Sequence, residues 1–594
     1  MTAATLPARE RGLHLRAVST IVVAVLSVAG AAALWAIGMQ SVDLASMTDL
    51  GLISVLPQVA MAGPILLTLS FIAIVAAGPY RGWLLALHVV ALIVMLFATP
   101  VIVEEAPRFN VAWRHVGIAE VLMRTGEVDP SIDAYFSWPG FFMLSAFLTE
   151  ITGLDSGLDL ISWAPVVFNL LYLPPLLLVF RAASADWRVV WLAVWIFYIT
   201  NWIGQDYYSP QAFAYFLYLV ILGVLLTWFA RSPRPVWPIP QRWFTPPEPV
   251  EPAPITPVQR AALIATIVLF FVAIAVSHQL TPFAVLGVVG ALVVLRRIVP
   301  TGLPIVMGVI VGTWLSYMTI SYLQGNLREM IDRIGSVDQT VAANLTDRFT
   351  GSAEHILVLT VRSASTLVLW SVAAVGVLRR RFGGDRDFTW AFLAAAPFVL
   401  FVLQEYGGEI LLRIYIFSLP FMSLLAANGL VGYRFGRRPL TILAVGVFCV
   451  GMLMAFFVSR YGNERMDLVT AEEAAGMERL YEVAPADSVL VAVSDNVFWR
   501  FKDYELYHYD VFNDEVLEVG SAGILVRMRE DAAERPAFLV LSRSQRAAME
   551  LRFGYSARAW DELVAELEAD PDLERVFANE DVQIYELNAP RGGS

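Results

Sequence analysis

Uninterrupted apolar runs of about 16 to 23 residues recur along most of this chain, and each can cross about 30 Å of hydrocarbon as a helix rising 1.5 Å per residue. Such runs leave few alternatives, because backbone polar groups in lipid must pair within their own segment. Thirteen read as spans: 17–39, 59–78, 83–103, 160–180, 189–204, 210–230, 261–277, 280–295, 303–323, 356–378, 388–403, 410–430 and 440–459. A further apolar segment, 136–147, is short, aromatic and broken by Pro139-Gly140, so it reads as interfacial or re-entrant. Over 594 residues, 58% are hydrophobic and only 16% charged, a composition outside the soluble globular range. The expected fold class is an α-helical polytopic membrane protein with a C-terminal α/β domain.

Orientation follows from the arginines, because short loops rich in Lys and Arg stay cytoplasmic. With the N-terminus inside, the inside segments hold Arg9, Arg11 and Arg16, then Arg81, then Arg181 and Arg188, then Arg231, Arg234, Arg242 and Arg260. Arg296 and Arg297, the run Arg379 to Arg381 with Arg386, and Arg434, Arg437 and Arg438 continue the series. The first outside loop carries Asp43 and Asp49 and no basic residue. Counting 136–147 as a span would put every later arginine on the wrong side. The layout expected is a cytoplasmic tail 1–16, a transmembrane domain 17–459 and an extracytoplasmic α/β domain 460–594, in a cell membrane. An outer loop 104–159 and a proline-rich cytoplasmic loop 231–260 interrupt the transmembrane part, and the first run reads as a retained signal anchor.

From Tyr461 onward the chain holds 28 acidic and 13 basic residues, a net of −15 against −12 for the whole. The acidity therefore belongs to the outer domain, which argues against a nucleic-acid partner. Strands are expected at 488–494, 537–542 and 582–587, with helices at 545–553 and 560–567. The single cysteine, Cys449, lies inside the last span, so no disulfide forms within the chain.

The conspicuous polar stretches all fall at the outer edge: Glu104-Glu105, Trp113-Arg114-His115, Gln205-Asp206-Tyr207-Tyr208, Ser277-His278-Gln279 and Gln404-Glu405-Tyr406. Span interiors nearly lack charge, with Arg362 and Arg413, each near an outer end, as the main exceptions. His88, near an inner end, reads as structural. Ion-coupled transporters place ionisable groups and broken helices near the bilayer midplane, and neither is legible here. An enzyme acting on a lipid-linked substrate instead gathers acids and bases at the headgroup level of one face. Glu104 and Glu105 stand where a span leaves the membrane and can act as general base, hold a cation, or simply solvate a helix end. Asp206 can bind sugar hydroxyls or metal, or cap the helix beginning at Pro210. His278 can bind phosphate or sugar, or serve as a turn residue. Arg413 is always charged and needs an anion, either a lipid phosphate or Glu405 or Glu409; Arg362 and Arg114 are open to the same role.

With its acidic span end, long aromatic outer loop, many short-looped spans and terminal α/β domain, the chain from about Trp83 resembles the GT-C superfamily of polytopic glycosyltransferases. These enzymes use polyprenyl-phosphate-linked sugars on the outer face of the membrane. The resemblance implies Glu104 or Glu105 as the catalytic carboxylate, and Arg114, His115, Asp206, Tyr207, His278, Glu405 and Arg413 as substrate-binding residues. It also implies a divalent cation, magnesium or manganese, on Glu105 and Asp206. The implied partners are a polyprenyl-phosphate sugar donor, a glycan or lipid acceptor, and membrane lipids. The acidic loop follows the third span where the family's follows the first, and it carries Glu-Glu where the family usually carries Asp. No Trp-Trp-Asp motif occurs, so envelope polysaccharide or glycolipid synthesis fits better than protein N-glycosylation. Two rival classes stay open: a lipid-linked oligosaccharide flippase or transporter, which needs a polar path through the bilayer, and a non-catalytic envelope assembly scaffold.

Overall fold

The computed structural model describes residues 8–231, 252–319, 349–385, 387–400, 409–431 and 438–588. Glu405 and most of the proline-rich loop 231–260 lie outside them. Each expected span contains helix, from Ala8–Met39 and Gln58–Ala77 through to Ile410–Leu430 and Pro439–Tyr461. Eight of these helices are long and apolar enough to cross a membrane, which makes this a membrane-embedded, multi-pass protein. The others are shorter: Trp187–Thr200 has 14 residues, roughly 21 Å at 1.5 Å per residue. Irregular chain completes that crossing, and it is tolerated because Asn201, Trp202, Gln205 and Asp206 are buried within protein.

Helix starts follow local chemistry. Ser209 accepts a hydrogen bond from the Ala212 amide with Pro210 at the first helical position, while Thr256 and Gln259 form a reciprocal capping box at the start of Pro257–Ser277. The helices Trp187–Thr200, Pro210–Trp228 and Ile410–Leu430 form the centre, with Trp195, Tyr198, Tyr215 and Phe417 wholly enclosed. Ile410–Leu430 packs on Ala353–Phe382 through Gly376 and Gly429. A Cβ at Gly376 would lie 1.9 Å from the Leu425 carbonyl oxygen, so only glycine allows this approach. His88 is structural, as its sequence position suggests: it meets Ser70 at 3.0 Å and the Leu84 carbonyl at 2.8 Å.

The segment read as interfacial forms a short turn, Ala134–Ser137, and the helix Gly140–Thr152, which leaves Met143, Phe147 and Ile151 exposed. Beside it lies the amphipathic helix Asn110–Thr125, on which the C-terminal domain rests. A Cβ at Gly117 would meet the Arg500 carbonyl oxygen at 1.8 Å, so helix and domain touch backbone to backbone. Trp113, Val116, Phe136 and Phe142 share one apolar core with Phe498, Phe501, Leu490 and Ile584. The outer loop and the domain therefore fold as one body.

The domain is a five-stranded sheet in the order β2-β1-β3-β5-β4, with β1 Val489–Ala492, β2 His508–Val511, β3 Ala537–Ser542, β4 Leu573–Ala578 and β5 Val582–Leu587. The first three run parallel, and β5 and β4 are antiparallel. Strands β2 and β4, which the sequence pattern does not reveal, are the edge strands. Their polar and charged residues, His-Tyr-Asp-Val and Leu-Glu-Arg-Val-Phe-Ala, suit an exposed edge and hide the alternation.

Candidate active site

The helix Gly82–Phe97 continues as Thr99–Val103, and Glu104 ends it by donating its amide to the Pro100 carbonyl at 2.8 Å. From there the chain runs extended through Pro107 to Arg108. Glu104 and Glu105 part company at this point: Glu105 is exposed, whereas a Glu104 carboxyl oxygen is enclosed. Its neighbour is Glu464, wholly buried and three residues beyond the last span, Pro439–Tyr461. Arg108 binds Glu464, reaches Asp467 at 3.4 Å and lies over the rings of Phe109 and Tyr461 at 4.1 and 5.4 Å.

Three carboxyl groups thus surround one guanidinium. Burial pushes the Glu464 carboxyl up to about 7 against the pull of Arg108. Burial, and then the charge on Glu464, hold Glu104 well above the usual carboxylate range, and burial raises Asp467 as well. Burial and the facing Glu464 charge thus favour the protonated form of Glu104 beside the Glu464 carboxyl. A carboxylic acid hydrogen-bonded to a carboxylate that titrates near neutrality is a proton-transfer pair.

Glu104 and Arg108 face a cavity of about 20 Å³, room for a water molecule, that is also lined by Phe97, Phe109, Tyr207 and Arg460. Arg460 donates to Asp206 at 2.8 Å, and its Nε and Nη1 are enclosed without a hydrogen-bond partner. Asp206 also takes the Asn169 amide at 2.5 Å. Both Asp206 oxygens are therefore committed, and Ser209, not Asp206, caps the following helix.

A second polar group lies across Tyr207, which lines this cavity and stacks on His115 at 5.7 Å with planes 7° apart. His115 donates from Nδ1 to the Tyr208 carbonyl at 2.8 Å, leaving Nε2 as an enclosed acceptor; burial lowers this imidazole to about 4. His278 accepts the Leu280 and Thr281 amides at Nδ1, both at 3.1 Å, and so caps the helix Thr281–Val294. Burial, and then the Arg413 charge, push His278 well below its ordinary value. Arg413 is buried, bound to Gln205 and paired with Glu409 at 2.9 Å.

The sequence-derived candidates thus divide. Glu104, Asp206 and Tyr207 surround or back the cavity, while His115, His278 and Arg413 gather behind Tyr207. Arg114 stands apart, bound to Asp133, which also takes the Tyr504 hydroxyl of the α/β domain; it fastens the outer loop to that domain. Arg108, Arg460 and Glu464 escaped the sequence reading. The signal was available in Arg460 and Glu464, an ionic pair of residue types one turn apart at the end of a span, as with Glu409 and Arg413.

The donor set does not fit a divalent cation. Among the described residues no three His, Cys, Asp or Glu side chains form a group able to hold one. Asp206 is held by Arg460, and Glu464 is held by Arg108.

No protein-family model matches the chain, and no curated protein matches it. Among solved structures it is similar to ArnT from Cupriavidus metallidurans bound to undecaprenyl phosphate, at 13% identity over 87% of this chain and 100% of that one, with a TM-score of 0.46. It is also similar to the arabinofuranosyltransferase AftD from Mycobacteria, at 14% identity over 86% of this chain and 40% of that one, TM-score 0.46. The oligosaccharyltransferase of Archaeoglobus fulgidus in its apo form gives 11% identity over 82% and 71% of the two chains, TM-score 0.46. At such identities the likeness is one of layout and transfers no residue roles.

Proposed function

We propose that this protein is a membrane glycosyltransferase that moves a sugar from a polyprenyl-phosphate-linked donor to a polysaccharide or glycolipid acceptor of the cell envelope. The reaction is assigned to the helix ends that carry the α/β domain, the extracytoplasmic side by the arginine distribution. One observation carries the reading: Glu104, at the end of a span, and the buried Glu464 lie beside the buried cations Arg108 and Arg460, where burial favours a proton on the carboxyl pair. ArnT binds undecaprenyl phosphate, and a carrier of that class is the donor proposed for this chain.

The acceptor hydroxyl oxygen attacks the anomeric carbon, and the bond from that carbon to the phosphate oxygen breaks. Glu104 takes the hydroxyl proton while passing its own to Glu464, so the pair goes from one proton to two. The polyprenyl phosphate leaves with its charge met by the enclosed N–H groups of Arg460. Arg108 stays fixed between Glu464 and Asp467 and keeps the pair's net charge low.

The test is release of free polyprenyl phosphate by the full-length protein in liposomes, offered a panel of polyprenyl-phosphate sugars with envelope lipid extract as acceptor. Glu104→Gln should lose about 10²- to 10⁴-fold in rate, the usual size of a general-base contribution. Glu105→Gln should stay within a few-fold of wild type. No turnover with any donor, or wild-type turnover in Glu104→Gln, contradicts the proposal.

A further inference from the structure

At the end of the bundle opposite the α/β domain the helices enclose a cavity of about 660 Å³, within the range of small-molecule and headgroup sites. Its wall is of two kinds. Leu178, Leu226, Leu292 and Trp390, from four helices, form an apolar side. Arg181, Arg231, Arg297 and Arg380 form a basic one, joined among the described residues by only two carboxylates, Asp385 and Asp387.

The pairing within this set decides what the cavity can hold. Arg297 is bound by Asp387 and donates to the Thr389 hydroxyl at 2.8 Å, and Arg380 pairs with Asp385 at 2.6 Å. Both carboxylates are thereby used. Arg181 donates to the Tyr80 hydroxyl at 3.1 Å, a neutral partner. Among the described residues no carboxylate pairs with Arg181 or Arg231, so two positive charges remain uncompensated beside apolar surface. A second cavity of about 740 Å³ shares Arg380 and Asn428 with the first and adds Arg379 and Arg438, with no carboxylate among the described residues of its lining. The excess positive charge therefore continues along the helix ends toward Val372 and Val445, on the flank of the bundle.

Uncompensated guanidinium groups at helix ends, next to an apolar wall, complement a phosphate group attached to an apolar body. We propose that the cavity bounded by Arg181, Arg231, Arg297 and Arg380 is a phosphate-binding site distinct from the Glu104 site, at the opposite end of the same helices. Arg181 and Arg231 hold the phosphate oxygens, Thr227 and Asn428 supply neutral hydrogen-bonding groups, and Leu178, Leu226 and Trp390 receive the attached chain. The phosphate has two possible sources, an anionic phospholipid or a free phosphate. The assignment does not depend on glycosyl transfer.

The test uses the full-length protein in nanodiscs of phosphatidylcholine, with phosphatidylglycerol added in one arm and inorganic phosphate in the other. Native mass spectrometry reads bound phosphatidylglycerol, and isothermal calorimetry reads phosphate. Wild type should bind one of the two, and the double variant Arg181→Gln, Arg231→Gln should bind it roughly 30-fold more weakly, about fivefold for each charge removed near a membrane surface. Arg231→Gln alone, which removes no ion pair, should show part of that loss. The control Arg260→Gln neutralises an exposed arginine outside the cavity, in the first turn of Pro257–Ser277, and should bind as wild type does. Loss in the phosphatidylglycerol arm identifies a lipid headgroup, and loss in the phosphate arm alone identifies a free phosphate. Equal binding by wild type and both cavity variants in both arms, or an equal loss in Arg260→Gln, overturns the site.

Discussion

The two polar groups on either side of Tyr207 are both enclosed, yet they behave oppositely toward protons. On the Glu104 side burial raises acids that face one another, so Glu464 exchanges its proton near pH 7. On the His115 side burial lowers both imidazoles, with the Arg413 charge adding to it at His278, and backbone groups hold each ring, His115 through the Tyr208 carbonyl and His278 through two amides. The same loss of water thus makes one group a site of proton exchange and leaves the other a set of fixed donors and acceptors. In the proposed reaction acid–base chemistry falls to the carboxyl pair, and the histidine group binds and orients.

The strongest way to break this comparison is to remove the cation that the acids share. Arg108→Leu leaves the buried Glu464 and the half-buried Asp467 without their guanidinium and should cost about 3–5 kcal/mol of stability, as for other buried pairs that lose one partner. Thermal unfolding in detergent measures the loss. A cost confined to a few tenths of a kcal/mol would mean that the carboxyl groups reach water.

Gly117→Ala acts on both groups together, because the helix Asn110–Thr125 carries His115 and supports the α/β domain. With the Arg500 carbonyl oxygen in the way of the new Cβ, the domain should shift, at a cost of about 1–3 kcal/mol typical of overpacking. Faster proteolysis between the last span and β1 would report it. The histidine group offers the smallest effect. His278→Ala removes a helix cap worth about 1 kcal/mol, and His278→Asn, which keeps an acceptor, should recover most of it. This difference should hold unchanged between pH 6.5 and pH 8, since burial and Arg413 push the imidazole well below its ordinary value; a difference that grows as the pH falls through that range would show that the imidazole titrates there.

Much of the fold is legible because hydrocarbon thickness imposes one length on every span, and the apolar runs record it. The short helices Trp187–Thr200 and Thr281–Val294 show where that rule bends, as neighbouring protein replaces lipid around them. In the α/β domain the buried strands β3 and β5 stand out through their apolar residues, whereas the edge strands β2 and β4 do not. The site was half legible. Glu104 announces itself as an acid at the end of a span, but its partner Glu464 lies 360 residues away in sequence, and only packing joins them. Asp206 was visible as an acid, although its commitment to Arg460 and Asn169 was not.

The central claim is that Glu104 and Glu464 together accept the acceptor's proton. The pH dependence of kcat/KM for polyprenyl-phosphate release, compared between wild type and Glu464→Gln, tests it most directly. Because Glu464 must be ionised to receive the proton that Glu104 gives up, wild-type activity should rise with pH through about 7 and then level. Glu464→Gln should be slow and should lack that limb. The same limb near pH 7 in Glu464→Gln would assign the titration to another group and contradict the account.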